Sequence, residues 1–267
     1  TRRSDSEGIG DGRIDDGHRR ALVGVRADWD QGADAFSVIG NVNRGRLDQP
    51  APGELATPFG PTSFGRVRSD GANLLARWQR TLDAGASVSL QAFLDHTVRE
   101  SPPLFAERLT TADVQFQHTL ATKGRHDLVW GANYRSTRDR VTNSPWVAFL
   151  PARTLLRWGS VFVQDDILLN DDWRLTLGSR VEYNHYTGIE WLPSARLSWR
   201  LSPQHALWAS AARTVRSPAR LDVDVWVPGQ PPFILRGGPQ VRSEVARVIE
   251  LGVRGQPAPA LSYSVTL

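Results

Sequence analysis

Apolar and polar residues alternate along much of the chain, most regularly in its second half. Between Trp173 and Tyr183, apolar residues and the small Ser179 occupy every second position, and mainly polar residues lie between them. Side chains with a period of two predict a β-strand with one apolar and one wet face. Ten steps of about 3.3 Å, tilted by about 40°, give a height of about 25 Å, which matches the apolar band of a membrane-spanning β-barrel. A soluble β-sandwich strand alternates in the same way, so this pattern alone leaves both folds open.

Aromatic residues stand at the ends of the predicted apolar faces. Rings of Trp and Tyr are stable between hydrocarbon and water, and lipid-facing strands carry them at both interfaces. The residues predicted to lie at the membrane interfaces are Trp78, Trp130, Tyr134, Trp173, Tyr183, Trp191 and Trp199. In two further strands, apolar residues occupy both odd and even positions. The pattern therefore assigns neither Phe162 nor Trp208 to a face.

The connections between strands separate the two folds. The predicted strands lie near residues 19–29, 34–46, 71–82, 86–97, 110–120, 126–138, 154–168, 173–186, 190–201, 205–216, 244–255 and 260–267. Short turns alternate with longer loops at 47–70, 98–109, 139–153 and 217–243, with one exception at Gly188. A barrel with tight turns on one rim and long loops on the other has this order, whereas a sandwich has no reason for it. We therefore predict an all-β fold, an antiparallel transmembrane β-barrel section.

Composition narrows the possible functions. The 32 basic residues, most of them Arg, and 28 acidic residues leave a net charge of +4, too small and too scattered to favour nucleic acid. Cysteine is absent, which excludes disulfides and thiolate metal sites. No run of about 18 apolar residues predicts a transmembrane helix. Methionine is also absent and the chain stops within the alternating run 261–267, so we predict an internal fragment of a longer protein.

Five short segments in the second half resemble the barrel of TonB-dependent outer-membrane receptors. They are GSVFVQDD (159–166), LGSRVEY (177–183), PSARLSW (193–199), LWASAARTVRSP (207–218), and RSE (242–244) with ELGVR (250–254). The segment GGPQVRSE departs from the family, which more often has Asn-Pro before the Glu.

The resemblance implies a larger, 22-stranded barrel closed by an N-terminal plug, with residues 1–267 forming part of the barrel domain and no plug in this chain. It implies a monomer in the outer membrane of a Gram-negative bacterium, in contact with membrane lipid. The ligand would be a small molecule such as a siderophore, cobalamin or a sugar. The plug, which lies outside this chain, would receive energy from the TonB complex.

The sequence gives little indication of a catalytic site. The six His residues are dispersed over predicted loops and strand ends. The neighbouring carboxylates Asp165 and Asp166 diverge on a strand, whereas general acid–base catalysis needs convergence. There is no phosphate-binding loop, nucleophile elbow or HExxH motif. We predict no enzyme, no cofactor and no metal site.

Candidate binding residues lie on the wet face and on the long loops. Arg77, Arg135, Arg180 and Arg196 are predicted to point into the barrel lumen. Guanidinium groups suit carboxylate, phosphate or catecholate ligands, but these arginines also fit a lumen lining paired with Glu182 or Asp residues. The loop candidates are Phe105, Trp146, Phe149, Trp226, Phe233 and Arg236. Aromatic residues on exposed loops can anchor a ligand or can pack the loops against one another. The sequence does not decide between these two roles.

Three functional hypotheses follow. The first is the receptor barrel described above, with uptake of a small ligand. The second is a passive porin-like or structural outer-membrane barrel, which a missing plug in the complete gene would favour. The third is a soluble carbohydrate-binding protein, which requires Trp173, Trp191 and Trp199 to lie in a dry core between two sheets.

Overall fold

Twelve long strands follow one another along the chain in a computed structural model that describes residues 1–7, 13–14, 16–49 and 65–267. They are β1 (His18–Gln31), β2 (Asp34–Leu47), β3 (Val67–Thr81), β4 (Ser87–Ser101), β5 (Phe105–Thr119), β6 (His126–Thr142), β7 (Arg153–Leu168), β8 (Trp173–Asn184), β9 (Gly188–Ser202), β10 (His205–Arg216), β11 (Glu244–Ala258) and β12 (Leu261–Thr266). Each long strand pairs antiparallel with the next, and the two-residue strand Arg2–Arg3 joins the outer side of β1. The predicted all-β antiparallel fold is confirmed.

The register joins the alternating strands into two chemically different faces. Residues directly opposite each other on paired strands share a face. Val181 on β8 lies opposite Val161 on β7 and Trp191 on β9, so their apolar sides merge into one surface. We call this the apolar face, and the opposite side the polar face. In the described residues the sheet is open, because Arg2–Arg3 and β12 lie at its two edges and do not pair with each other.

The two ends of the sheet differ as the sequence predicts, with one exception. At the turn end the connections are tight, and Gly32 and Gly124 adopt φ angles of +63° and +64° that favour glycine. The opposite end, the loop end, carries long connections such as 143–152 and 217–243. The predicted loop 98–109 is wrong, since β4 continues to Ser101 and β5 begins at Phe105. Charged residues mix there with apolar ones on both faces, such as Val98 on one and Leu109 on the other, so the period-two signal ends before the strands do.

The structure also places the two aromatic residues that the pattern could not assign to a face. Phe162 and Trp208 both lie on the polar face, directly opposite Gly131 and Gly252 on the neighbouring strands. A Cβ atom on Gly131 would lie 2.7 Å from the Phe162 ring, and one on Gly252 would lie 2.3 Å from the Trp208 ring. Each ring therefore covers a glycine, and the missing side chain makes room for it.

Helix is scarce in the described part of the chain. It comprises a single 3₁₀ turn at Asp83–Gly85 and the short helix α1 (Arg220–Val223) in the 217–243 connection. Among the described residues, no helix has the length and apolarity needed to cross a membrane.

Candidate ligand-binding site

A recess of about 860 Å³ lies on the polar face across the middle strands of the sheet. Three of the four predicted lumenal arginines line it, namely Arg77 on β3, Arg135 on β6 and Arg180 on β8. The alternation of each strand directs these side chains to the same face, and the antiparallel register brings them to a common area. Gln91 and Gln115 add amide groups to the same wall. We call this the arginine recess.

Arg135 is largely occupied by a buried carboxylate. Its Nε atom donates to Oδ2 of Asp113 at 2.9 Å, and the Asp113 side chain is only 1% exposed. Asn133 donates to both carboxylate oxygens of Asp113 at 3.1 Å. The Arg135 guanidinium also lies 5.6 Å from the ring centre of Phe93. This arginine fits the alternative of a paired lumen lining.

Arg77 and Arg180 retain more of their donor capacity. Arg77 donates to the amide oxygen of Gln79 at 3.3 Å and has no acidic partner among the described residues. Arg180 donates to Oγ of Ser160 at 2.7 Å and lies 3.6 Å from Glu182. A guanidinium carries five N–H donors, so both groups can bind an additional anionic oxygen. The arginine recess therefore offers cationic donors together with amide groups.

Arg196 does not belong to this recess. It lies on the polar face of β9, opposite Thr176 on β8 and Ser210 on β10. Its guanidinium lies 4.4 Å from the ring centre of Trp208. This stacking stabilises both side chains through a cation–π contact.

At the loop end, two long connections are joined by a small sheet. Ala148–Phe149 pairs with Val225–Val227, which pairs with Leu235–Arg236. We call this the loop sheet. It joins the connection 143–152 to the connection 217–243, so the two long loops form one layer at this end of the main sheet.

The predicted loop aromatics pack in pairs beside cations. Trp226 and Phe233 meet edge to face with ring centres 4.5 Å apart, and Arg236 lies 4.7 Å above Trp226. Phe105, which begins β5 instead of lying on a loop, has its ring centre 6.2 Å from that of Phe149.

The loop aromatics differ in exposure. Trp146 is half-buried in the same region, and its backbone N–H donates to Oγ of Ser144. Phe233 is 38% exposed and Arg236 is exposed, so both are accessible from outside.

The loop layer is fixed by a buried ion network that the sequence analysis missed. Arg220 donates from Nη1 to Oδ2 of Asp139 at 2.8 Å and from Nε to Oδ2 of Asp224 at 2.9 Å. It also donates to the carbonyl oxygen of Pro151. Tyr186, in the turn after β8, donates its hydroxyl hydrogen to Oδ2 of Asp224 at 3.1 Å. The network thus connects the two long loops, β6 and a third turn.

Protonation in this network is set by burial and by its charges. Burial lowers the pKa of Arg220, but hydrogen bonds to Asp139 and Asp224 outweigh this and leave its pKa above the ordinary value. Burial, followed by the charge of Asp224, raises the pKa of the Tyr186 hydroxyl well above its usual range. The guanidinium therefore stays charged and the phenol stays neutral. No periodic pattern marks these loop residues, and only their position in one layer reveals them.

The described residues contain no group of three or more His, Asp or Glu side chains that could hold a metal ion.

Over residues 5–267 the sequence matches the family model described as TonB dependent receptor-like, beta-barrel. The chain belongs to the β-barrel family of TonB-dependent receptors. None of the curated protein sequences compared with the chain matches it.

Several solved structures share the fold of this receptor barrel. The siderophore receptor PirA from Acinetobacter baumannii aligns with a TM-score of 0.72 at 13% identity over 94% of this chain and 42% of that one. The ferric enterobactin receptor PfeA from Pseudomonas aeruginosa (mutant R480A_Q482A) aligns with a TM-score of 0.71 at 16% identity over 98% of this chain and 44% of that one. The structure of the FpvAI–pyocin S2 complex aligns with a TM-score of 0.69 at 10% identity over 95% and 40%. The receptor barrel thus spans less than half of each of these chains.

In the receptor barrel, all seven predicted interface aromatics share the apolar face. Trp173 and Trp199 lie opposite each other and stack with ring centres 5.0 Å apart. Trp191 is 60% exposed and Tyr134 is 53% exposed. The expectation of a dry tryptophan core between two sheets is therefore wrong. The position of these rings at the membrane interfaces remains a prediction.

Proposed function

We propose that the complete protein is an outer-membrane receptor that imports a small, anionic, siderophore-like ligand with energy delivered through TonB. The arginine recess carries this proposal, since Arg77 and Arg180 present donors that suit carboxylate or catecholate oxygens. Two of the structural neighbours are named as receptors for a siderophore and for ferric enterobactin, which supports the same ligand class. Family membership supports a location in the outer membrane of a Gram-negative bacterium.

The ligand first meets the loop end in this proposal. Phe233 and Arg236 are exposed there, and their aromatic and cationic groups offer initial contacts. The ligand then moves into the arginine recess, where Arg77 and Arg180 hold it by charge-assisted hydrogen bonds. A plug outside this chain opens the passage when the TonB complex acts on it, and the receptor works as a monomer. The chain's own residues bind and orient the ligand, and no covalent step is needed.

The test uses the complete receptor in its outer membrane, with uptake of a labelled ferric siderophore measured with and without a working TonB system. We expect uptake to stop without TonB. We also expect Arg77→Gln combined with Arg180→Gln to weaken binding by about a hundredfold or more, because hydrogen bonds to charged groups contribute about 1.5–3 kcal/mol each. Arg26→Gln is the matched control, since Arg26 is ion-paired with Asp28 and lies outside the recess.

Two outcomes would redirect the proposal. Uptake that is independent of TonB would favour the passive porin-like barrel. TonB-dependent uptake that is unaffected by the double substitution would keep the receptor function. That result would show that the arginine recess does not bind the transported ligand, and it would direct the search toward uncharged ligands such as sugars.

A further inference from the structure

The apolar face becomes strongly basic toward the loop end. On β1–β3 and β5–β7, arginines occupy many of the outward alternate positions toward the loop end, with Leu155 between two of them on β7. They are Arg19, Arg44, Arg46, Arg68, Arg108, Arg138, Arg140, Arg153 and Arg157. All nine are exposed. We call this set the arginine belt. Because it lies on the side opposite the arginine recess, a ligand held in that recess does not reach it.

A recess of about 460 Å³ lies in the centre of the belt. Arg68, Arg108, Arg138 and Arg140 line it. The carboxylates in its wall are Asp70 and Glu100. Asp70 is already shared, because Arg68 lies 2.5 Å from its Oδ2 and Arg44 lies 3.3 Å from its Oδ1. We call this the belt recess, and its charge is positive.

The register places like charges against each other in this region. Arg140 on β6 lies directly opposite Arg108 on β5 and directly opposite Arg153 on β7. Like charges in directly opposite positions destabilise a sheet. The guanidinium groups of all three make no hydrogen bond or ion pair with the described residues. Among the described residues, Asp70 and Glu100 line the same recess but neither forms an ion pair with these three groups, so an external anion would stabilise this part of the barrel.

The height of the belt matches a lipid headgroup layer. On β6, Arg138 lies four residues beyond Tyr134, the predicted interface aromatic. Four steps of about 3.3 Å on a strand tilted by about 40° place it about 10 Å above that ring. Aromatic rings mark the boundary of the hydrocarbon, and the polar headgroup region begins there.

We infer that the arginine belt, centred on the belt recess, binds the phosphate groups of outer-leaflet lipid headgroups. This inference rests on the proposed outer-membrane location. Guanidinium groups bind phosphate by two parallel hydrogen bonds, and a phosphate between Arg108, Arg138 and Arg140 offsets their mutual repulsion. The belt follows six strands on the wall that faces lipid in a receptor barrel, which favours a continuous layer of headgroups over a single free phosphate ion.

The test starts from the complete receptor, extracted from its membrane in a neutral detergent, with all retained phosphorylated lipid measured by native mass spectrometry. The variant combines Arg108→Gln, Arg138→Gln and Arg140→Gln. A matched control combines Arg80→Gln, Arg125→Gln and Arg200→Gln, which removes three arginines from the turn end of the sheet. We expect the first variant to retain about tenfold less phosphorylated lipid, and the control to retain as much as the wild type.

A second measurement identifies the source of the phosphate. The delipidated receptor is mixed with phosphatidylcholine vesicles that contain phosphatidic acid, or with phosphatidylcholine vesicles alone, and its thermal midpoint is recorded. We expect only phosphatidic acid to raise the midpoint of the wild type, and an excess of inorganic phosphate to reproduce little of the rise. In lipid-free detergent the triple variant should be at least as stable as the wild type, because repulsion is removed.

Several results would overturn the inference. They are unchanged lipid retention in the triple variant, equal loss in the turn-end control, or complete substitution by inorganic phosphate. If the triple variant does not fold, Arg140→Lys is the substitute. It keeps the positive charge but lacks the planar guanidinium that forms two parallel hydrogen bonds to phosphate, so it should lower lipid retention severalfold in a folded receptor. Ligand uptake is measured in the same strains. Loss of TonB dependence with normal lipid retention contradicts the proposed function alone, and normal uptake with unchanged retention contradicts the lipid site alone.

Discussion

Arg220 shows how much a single buried residue organises at the loop end. It is 7% exposed and binds Asp224 in its own connection, Asp139 on β6 and the backbone carbonyl of Pro151 in the other long connection. Removing one partner of a buried ion pair costs about 3–5 kcal/mol, because the remaining charges are left without compensation. We expect Arg220→Met to increase hydrogen exchange in 143–152 and 217–243 of the complete receptor by about a hundredfold or more.

The controls for this prediction separate burial from charge. Arg216 is also ion-paired, with Glu244 and Asp222, but its side chain is 60% exposed. Exposed pairs contribute about 0–1 kcal/mol, so Arg216→Met should change exchange little. Adding Asp139→Asn and Asp224→Asn to Arg220→Met should recover part of the protection, because no uncompensated charge remains. Equal effects of Arg220→Met and Arg216→Met would contradict a special role for the buried network.

Gly131 gives a second prediction at the residue scale. A Cβ atom there would lie 2.4 Å from the carbonyl oxygen of Phe116, which is backbone and cannot move aside easily. Overpacking of this kind costs about 1–3 kcal/mol. We expect Gly131→Ala to lower the thermal midpoint of the folded receptor. Gly159→Ala on the adjacent strand should be tolerated, because the nearest atoms there are 3.8 Å away, and an equal loss in both variants would contradict the steric argument.

At the scale of the strand, chemistry changes between one residue and the next. On β5, Val114 lies on the apolar face opposite Ala92 and Tyr134, and Gln115 lies on the polar face opposite Gln91 and Asn133. A lipid-facing arginine costs about 2–4 kcal/mol at the middle of the membrane and about 0–1 kcal/mol near its interfaces, and Val114, opposite the predicted interface residue Tyr134, falls between these limits. We expect Val114→Arg to reduce the folded, membrane-inserted fraction in a refolding assay, and Gln115→Arg to leave it nearly unchanged. The reverse order would place lipid on the other face of the sheet.

The strands also show what could be predicted from the sequence and why the rest could not. All twelve long strands overlap their predicted ranges, and in most of them the period of two is visible because one face contacts an apolar environment. The pattern fails beyond the apolar band, where charged residues mix with apolar ones on both faces, and this is why β4 and β5 extend through the predicted loop 98–109.

Contacts between side chains of different strands cannot be predicted from the period-two pattern within one strand. Phe162 could not be assigned because its apolar ring covers Gly131 on the polar face. Three of the four predicted lumenal arginines meet in one recess, but the pairing of Arg135 with Asp113 depends on register between two strands. The network around Arg220 depends on loop packing. Periodicity within one strand carries neither kind of information.

At the scale of the whole molecule, one sheet presents three chemical environments in layers. The turn end is closed by tight connections, the middle separates an apolar from a polar face, and the loop end carries the loop sheet. The arginine recess and the belt recess lie on opposite faces of the same strands, including β5 and β6. A single strand therefore serves a ligand on one side and a lipid on the other in our proposals, because neighbouring residues point in opposite directions.

The open edges of this sheet lead to a prediction for the 267-residue chain by itself. Only Arg2–Arg3 pair with the outer side of β1, and β12 has no further neighbour among the described residues. In hydrocarbon each unpaired backbone group costs several kcal/mol, so an open sheet is unstable there. We expect the isolated chain to refold poorly into lipid vesicles and to remain sensitive to protease, whereas the complete receptor should become resistant and migrate in a heat-modifiable form.

Direct closure of β1 onto β12 is the arrangement that would contradict this prediction, and it can be tested by cross-linking. The chain has no cysteine, so a disulfide between Val23→Cys and Val265→Cys would report only that contact. Both residues lie on the apolar face of edge strands that are separated in the open sheet. We expect no cross-link in the complete receptor, because further strands complete the barrel between these edges. Efficient cross-linking in a protease-resistant isolated chain would show that these strands alone make a small closed barrel.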